Sequence, residues 1–451
     1  MAVAASGHEK WSSRFGFLMA TVGFAVGLGN IWRFPYVAGE NGGAAFVLVY
    51  LACAFGIGVP IMMAELMIGR SGGMSPPESM RRLAVEAKRS PAWQWVGRMG
   101  LLAAFTIVIV YAVIVGWVLW YLYQAVTVGF VGVDAELASA NFAEILQNPS
   151  GMMLWTLLGL GFTGYIIYAG VQGGIEKAVK ILMPVLFSLL VLLAVYNVFA
   201  GGMREALVWL FTPDFSKITP EVFLAAVGQA FFSIGVAMGG MMTFGAYLPK
   251  HVSIPRSVLM IVFADTLVAI LAGLVIFPAV FANGLDPAAG PGLIFQTLPV
   301  AFAQMPGGYL FGVLFFLLIA VAGVTSMVGL VESITSWMED YRGYARHKSA
   351  LLVVVLIAAF SSISVLSYNA LSDFTIFGRD LNAVLDYFSN QILLPLGGLM
   401  IALFVGWFLS REMLTEELGF RSRRMFAMWH FLLRYVVPPA VFIIFVRGIA
   451  W

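Results

Sequence analysis

Long apolar stretches joined by short polar connectors dominate the chain. Eleven are near or above the roughly 20 residues that cross a hydrocarbon core: 15–37, 43–69, 95–126, 152–168, 174–200, 221–247, 258–283, 308–338, 349–367, 384–409 and 429–449. The pattern predicts an all-α integral membrane protein of eleven transmembrane helices, forming one unit over 1–451, and an odd number puts the termini on opposite sides. Most of the 25 Lys and Arg residues fall in the connectors of one side, including Arg70, Arg81, Arg82, Lys88, Arg89, Arg98 and Arg421, Arg423, Arg424. Only Arg204, Lys217, Arg379 and Arg447 fall on the other side, with Arg33 inside a span. The positive-inside rule then makes the N-terminus cytoplasmic and the C-terminus external. Met1 to Lys10 is short and polar and leads into the first span without a small-residue cleavage site, so no cleaved signal peptide is expected.

Two spans carry glycine clusters at mid-membrane. The first reads Gly23-Phe24-Ala25-Val26-Gly27-Leu28-Gly29-Asn30, and the sixth Ser233-Ile234-Gly235-Val236-Ala237-Met238-Gly239-Gly240. A continuous helix would lose about 1 kcal/mol at each glycine. Either both helices break there, or the glycines only let helices approach closely, and on the glycines alone the two readings stand level. Each cluster opens a block of five spans, 15–200 and 221–409, with 429–449 left over. Carriers built from inverted repeats bind substrate at the midplane, between discontinuous helices.

Composition narrows the classes. Hydrophobic residues make up 61% and charged residues 11%, so the bilayer is the solvent, and a net charge of +2 predicts no nucleic-acid partner. A lone cysteine, Cys53, excludes an internal disulfide and any CxxC motif. His8, His251, His347 and His430 lie at loops or span edges without an HExxH or a nucleophile motif, which disfavours an enzyme. Asp265, in an apolar run, is costly at a helix centre by about 2.5–3.5 kcal/mol unless partnered, and a packing role is a poor explanation for it. Glu65 and Glu332 are further buried carboxylates, read either as fixed structural networks or as carriers of a counter-transported proton.

The residues around the glycines carry more. Trp11-Ser12-Ser13-Arg14, Gly27 through Tyr36, Glu40-Asn41-Gly42-Gly43, Pro60 to Glu65 with Gly69-Arg70, Tyr111, Gly228 to Ser233, Ala322 to Ser326, and Asp386 before Gly397-Gly398 follow one another in order. Together they resemble the signature of the neurotransmitter:sodium symporter family, in its prokaryotic amino-acid branch. The resemblance implies a five-plus-five inverted repeat with broken helices 1 and 6, a prokaryotic inner membrane, and sodium-coupled import of a hydrophobic L-amino acid by alternating access. It implies one sodium site at Ala25, Asn30, Ser233 and Asp265, completed by the substrate carboxylate, and a second at Gly23, Val26, Ala322, Thr325 and Ser326. For the two hydroxyls of that second site, back-bonding to the preceding helical turn is the plainer alternative. Asp265 is expected to supply a built-in negative charge, with no chloride requirement.

The same resemblance implies a substrate pocket of Phe24, Ala25, Leu28, Gly29, Ile107, Tyr111, Phe232, Ser233, Gly235, Met238, Ser326 and Leu330, with Met327 a further candidate. Monoamine carriers of the family place aspartate where this chain has Gly27, so an amino acid is favoured over an amine. The pocket offers no charge to a substrate side chain, which favours branched or aromatic ones. Arg33 with Asp386 form the outer gate by analogy, Tyr247 with Asp340 the inner one. The usual N-terminal arginine falls on His8, with Lys10 or Arg14 as substitutes. Gly174 and Pro184, with nine residues between them, are a site for local unwinding. The rival outside carriers is a binding-only amino-acid sensor on the same fold, which would not need gates on both sides.

Overall fold

A computed structural model describes residues 9–449, and the described residues are helical apart from turns and one isolated β-bridge between Ile376 and Arg379. Among the described residues nine helices are long and apolar enough to cross a membrane: α3 (Ala44–Gly72), α4 (Pro91–Thr127), α5 (Pro149–Tyr168), α6 (Val171–Ala200), α9 (Ile254–Ala282), α10 (Gly308–Arg342), α11 (Arg346–Ser367), α12 (Leu381–Phe408) and α13 (Arg423–Ile449). Two further segments are interrupted. Arg14–Ala25 (α1) and Gly29–Glu40 (α2) meet at a 47° bend. Pro220–Ile234 (α7) and Gly240–Ala246 (α8) flank Gly235–Gly239, and each piece alone is too short to count as a span. The eleven apolar stretches of the sequence therefore appear as nine continuous helices and two broken pairs among the described residues. Shorter helices the hydropathy pattern did not single out, such as Pro76–Glu86, Ala135–Gln147 and Arg411–Leu418, lie in the connectors.

The breaks have local causes. Val26 leaves α1 in an extended conformation (φ −74°, ψ 105°), and the orphaned N–H of Gly27 is capped by the Asn30 side-chain oxygen at 3.1 Å. An exposed backbone donor in hydrocarbon costs several kcal/mol, so an asparagine inside the break is what makes it tolerable. In the second break Gly235 and Gly239 adopt φ of +71° and +75°, and Ala237 adopts +65°, a region that costs a non-glycine residue about 1–2 kcal/mol. Its N–H is held by both carboxylate oxygens of Glu65, at 3.2 Å each, so the acid of α3 pins the unwound segment.

Burial orders the layers. For α4 and α10, 83% of the most apolar window is buried, against 22% for α13, so the first two form the centre and α13 the rim. The broken segments lie among them: α1 packs against α10, α6 and α9, and α7 against α3.

Candidate functional site

The two breaks bring Asn30, Ser233 and Asp265 together, all fully buried. The Asn30 amide nitrogen donates to the Asp265 carboxylate at 2.7 Å, to its carbonyl at 3.0 Å and to Ser233 Oγ at 2.9 Å. Ser233 Oγ donates to the other carboxylate oxygen at 2.9 Å, and the Tyr50 hydroxyl donates to it at 3.2 Å. Three neutral donors, Asn30, Ser233 and Tyr50, thus hold the carboxylate. That arrangement offsets the desolvation of the acid and gives an oxygen-rich cluster suited to a hard cation. Nearby, Gln229 donates to the Gly29 carbonyl at 2.7 Å while its own side-chain oxygen is buried without a partner.

A second oxygen cluster lies where α1 ends against α10. Thr325 makes the plain back-bond, donating to Val321 and Ala322 carbonyls at 3.0 Å each. Ser326 does not: its hydroxyl crosses to α1 and reaches the carbonyls of Gly23 at 3.3 Å and Val26 at 3.2 Å. The carbonyls of Gly23 and Val26 therefore converge on one hydroxyl of α10, next to the Ala322 carbonyl on that helix.

Between the clusters is a small cavity of about 20 Å³, lined by Phe24, Ala25, Gly27, Gly29, Ile107, Tyr111, Phe232, Gly235, Met238, Ser326 and Leu330. That is room for about one water. The Leu28 N–H donates to the Tyr111 hydroxyl at 3.0 Å, so the amide freed by the break has a displaceable partner. Gly27 has no room for a side chain, since a Cβ there would come within 2.2 Å of Ser326 Oγ and 2.6 Å of the Tyr111 hydroxyl.

Ile107, Tyr111 and Phe232 also line a larger cavity of about 440 Å³, together with Trp32, Arg33, Trp117, Phe295 and Asp386. Ile107, Tyr111 and Phe232 are thus common walls of the two. The Arg33 guanidinium lies over the Phe232 ring, 4.7 Å from the centroid, and no ion pair joins it to Asp386, which accepts instead from Asn390 at 2.7 Å. The two charges face one cavity unjoined, and one guanidinium nitrogen of Arg33 is buried without a hydrogen-bond partner.

The opposite end is closed. Trp11 is buried, its indole N–H donates to the Phe244 carbonyl at 3.1 Å, and its ring meets Phe17, Phe244 and Tyr247. Ser12 and Ser13 donate to Glu176, and Glu9 accepts from the Val171 N–H at 2.8 Å, so this strap is tied to the widened first turn of α6 that contains Gly174. Pro184 lies farther along, inside regular helix. Asp340 accepts from the Ser75 N–H at 2.6 Å, and the Tyr247 hydroxyl donates to Glu332 at 2.7 Å. Glu332 in turn takes both arms of Arg346, at 2.8 and 2.6 Å, a partner the sequence did not single out. Arg14 points to the Met260 sulfur at 3.7 Å, and the Lys10 carbonyl accepts from Gln172. His8 lies outside the described residues.

Comparison with known proteins agrees with this geometry. The model of the "Sodium:neurotransmitter symporter family" matches residues 8–136 and 141–451. An uncharacterized sodium-dependent transporter of Bacillus subtilis, YhdH, is 37% identical over 441 residues, covering 97% of each chain. Another from Haemophilus influenzae is 34% identical over 451 residues, covering 98% of each. Among solved structures, the crystal structure of MhsT in complex with L-phenylalanine matches with a TM-score of 0.91 and 40% identity, covering 98% of this chain and all of that one.

Proposed function

The chain belongs to the sodium:neurotransmitter symporter family and is a multi-pass, sodium-dependent symporter rather than an enzyme; on that premise we propose that it imports neutral, hydrophobic L-amino acids with two sodium ions and without chloride. The observation that carries the reading is Asp265, a buried carboxylate held by three neutral donors, facing Asn30 and Ser233 across the two helix breaks. A sodium ion in this cluster, shared with Ala25 and the substrate carboxylate, is what makes each ligand bind poorly without the other. The Asp265 charge takes the part an external chloride would play. The second sodium is held by Gly23, Val26, Ala322, Thr325 and Ser326; the Ser326 hydroxyl, which reaches the Gly23 and Val26 carbonyls, supports this.

The substrate carboxylate takes the Leu28 and Gly29 amides and the Tyr111 hydroxyl, which already pairs with the Leu28 N–H. The absence of room at Gly27 supports an amino acid over an amine, because no carboxylate of the protein fits where the substrate's own must lie. An apolar lining of Phe24, Ile107, Phe232, Met238 and Leu330 leaves a charged side chain unpaired, and the likeness to MhsT with bound L-phenylalanine points the same way. Binding requires Phe232 and Met238 to give way, since about 20 Å³ cannot hold an amino acid. Arg33 then leaves Phe232 and closes on Asp386. The inner gate, with Tyr247 and Asp340, opens as the strap on α6 lets go. In this reading the two blocks, 15–200 and 221–409, are the inverted repeats, and the protein lies in a prokaryotic inner membrane with its N-terminus inside.

Equilibrium binding of labelled L-leucine to the purified protein in gluconate buffer tests this. Saturable binding that needs sodium and is indifferent to chloride is expected; equal binding in potassium contradicts it.

A further inference from the structure

Phe24 stands out within the pocket because three glycines make room for it. Its ring is buried at the end of the cavity away from Arg33, edge-on to Phe244 with centroids 5.8 Å apart. A Cβ added to Gly329 would lie 2.2 Å from Phe24 Cδ2, one on Gly240 would lie 2.5 Å from Cε1 and Cζ, and one on Gly235 would lie 3.0 Å from Cε1. Gly329 belongs to α10, Gly235 to the second break and Gly240 to the start of α8. The ring is therefore clasped by backbone from three sides, and backbone cannot yield as a flexible side chain does.

We propose that Phe24, locked by Gly235, Gly240 and Gly329, is the floor of the substrate pocket and sets the largest amino-acid side chain the protein accepts. Two other lining groups are adaptable: Met238 is unbranched and Phe232 is partly exposed to the outer cavity. Phe24, held against backbone on three sides, cannot retreat. Truncating it opens the pocket toward Phe244, while crowding it from behind pushes the ring into the cavity. The inference rests on the amino-acid reading above.

The test is the rise in thermal unfolding midpoint of purified protein, in sodium gluconate, with graded L-alanine, L-valine, L-leucine, L-phenylalanine and L-tryptophan. Phe24→Ala is expected to move the ratio of apparent affinities toward tryptophan over valine by at least about tenfold, the lower end of what a single methylene is worth in an apolar pocket. Gly329→Ala, which also favours the helix, is expected to move the ratio the opposite way. The double variant is expected to rank substrates as Phe24→Ala does, because the crowded ring is gone. Phe24→Leu serves if the alanine variant does not fold. If wild-type protein ranks the amino acids and every variant keeps that ranking, the inference falls alone. If no amino acid stabilises the wild type, the substrate reading falls and takes the inference with it.

Discussion

The side-chain amide of Asn30 donates to the carboxylate of Asp265 at 2.7 Å, joining the first helix break to α9 across 235 residues of sequence. An amide that caps the break through its oxygen and holds an acid through its nitrogen ties the shape of the break to the charge beside it. Removing the acid should cost apparent sodium affinity roughly 10- to 100-fold, the effect of losing hydrogen bonds to a charged group. In Asp265→Asn, sodium-dependent leucine binding is expected to become chloride-dependent. Titrating sodium in chloride and in gluconate checks both.

Gly27 should tolerate no side chain. Its Cβ would collide with Ser326 and Tyr111, and overpacking of that kind costs about 1–3 kcal/mol. Gly27→Ala is expected to fold yet lose the stabilisation that leucine gives to thermal unfolding, while Gly56→Ala, with open space around it, is expected to behave as wild type.

The Glu332–Arg346 pair makes a different prediction, about stability. Glu332 is fully buried and Arg346 is 20% exposed, so removing only the arginine strands a buried charge, at a cost of about 3 kcal/mol. Arg346→Met should lower the unfolding midpoint clearly, and Glu332→Gln with Arg346→Met should recover most of the loss. A full loss in the double variant would mean that the two side chains act separately. An acid already committed to Arg346 and Tyr247 is also a poor proton carrier, which leaves Glu65, whose one donor is the Ala237 N–H, as the carboxylate to examine in any pH-dependent uptake.

Trp11 closes the end opposite the Arg33 cavity through Phe244, the same ring that Phe24 touches. Trp11→Ala is expected to raise the rate at which Thr21→Cys, in a Cys53→Ser background, is alkylated by a hydrophilic maleimide, by several-fold and most strongly without sodium. Equal rates with and without the tryptophan would remove the strap from the gating scheme.

The sequence made the breaks legible because glycine clusters flanked Asn30 and Ser233, residues with chemistry of their own. It also pointed to Asp265, since an acid in a run of apolar residues has no cheap structural explanation. It gave less notice of Tyr50, which donates to Asp265 but lies in an aromatic, apolar stretch where any tyrosine passes for packing. Arg346 reads in the sequence as one more connector charge, because what makes it a partner of Glu332 is the turn between α10 and α11, not a spacing. In hydropathy the second broken segment is one span, and the positive φ of Gly235, Ala237 and Gly239 fixes where its glycine cluster divides it. The unjoined state of Arg33 and Asp386 belongs to a conformation, and no sequence pattern records that.

The most direct test of the central claim is uptake of labelled L-leucine and L-phenylalanine into proteoliposomes under an inward sodium gradient, in chloride-free gluconate, for wild-type protein and Asp265→Ala. The account predicts accumulation above the outside concentration that needs the gradient, does not need chloride and disappears in the variant. Sodium-dependent binding without accumulation would contradict it.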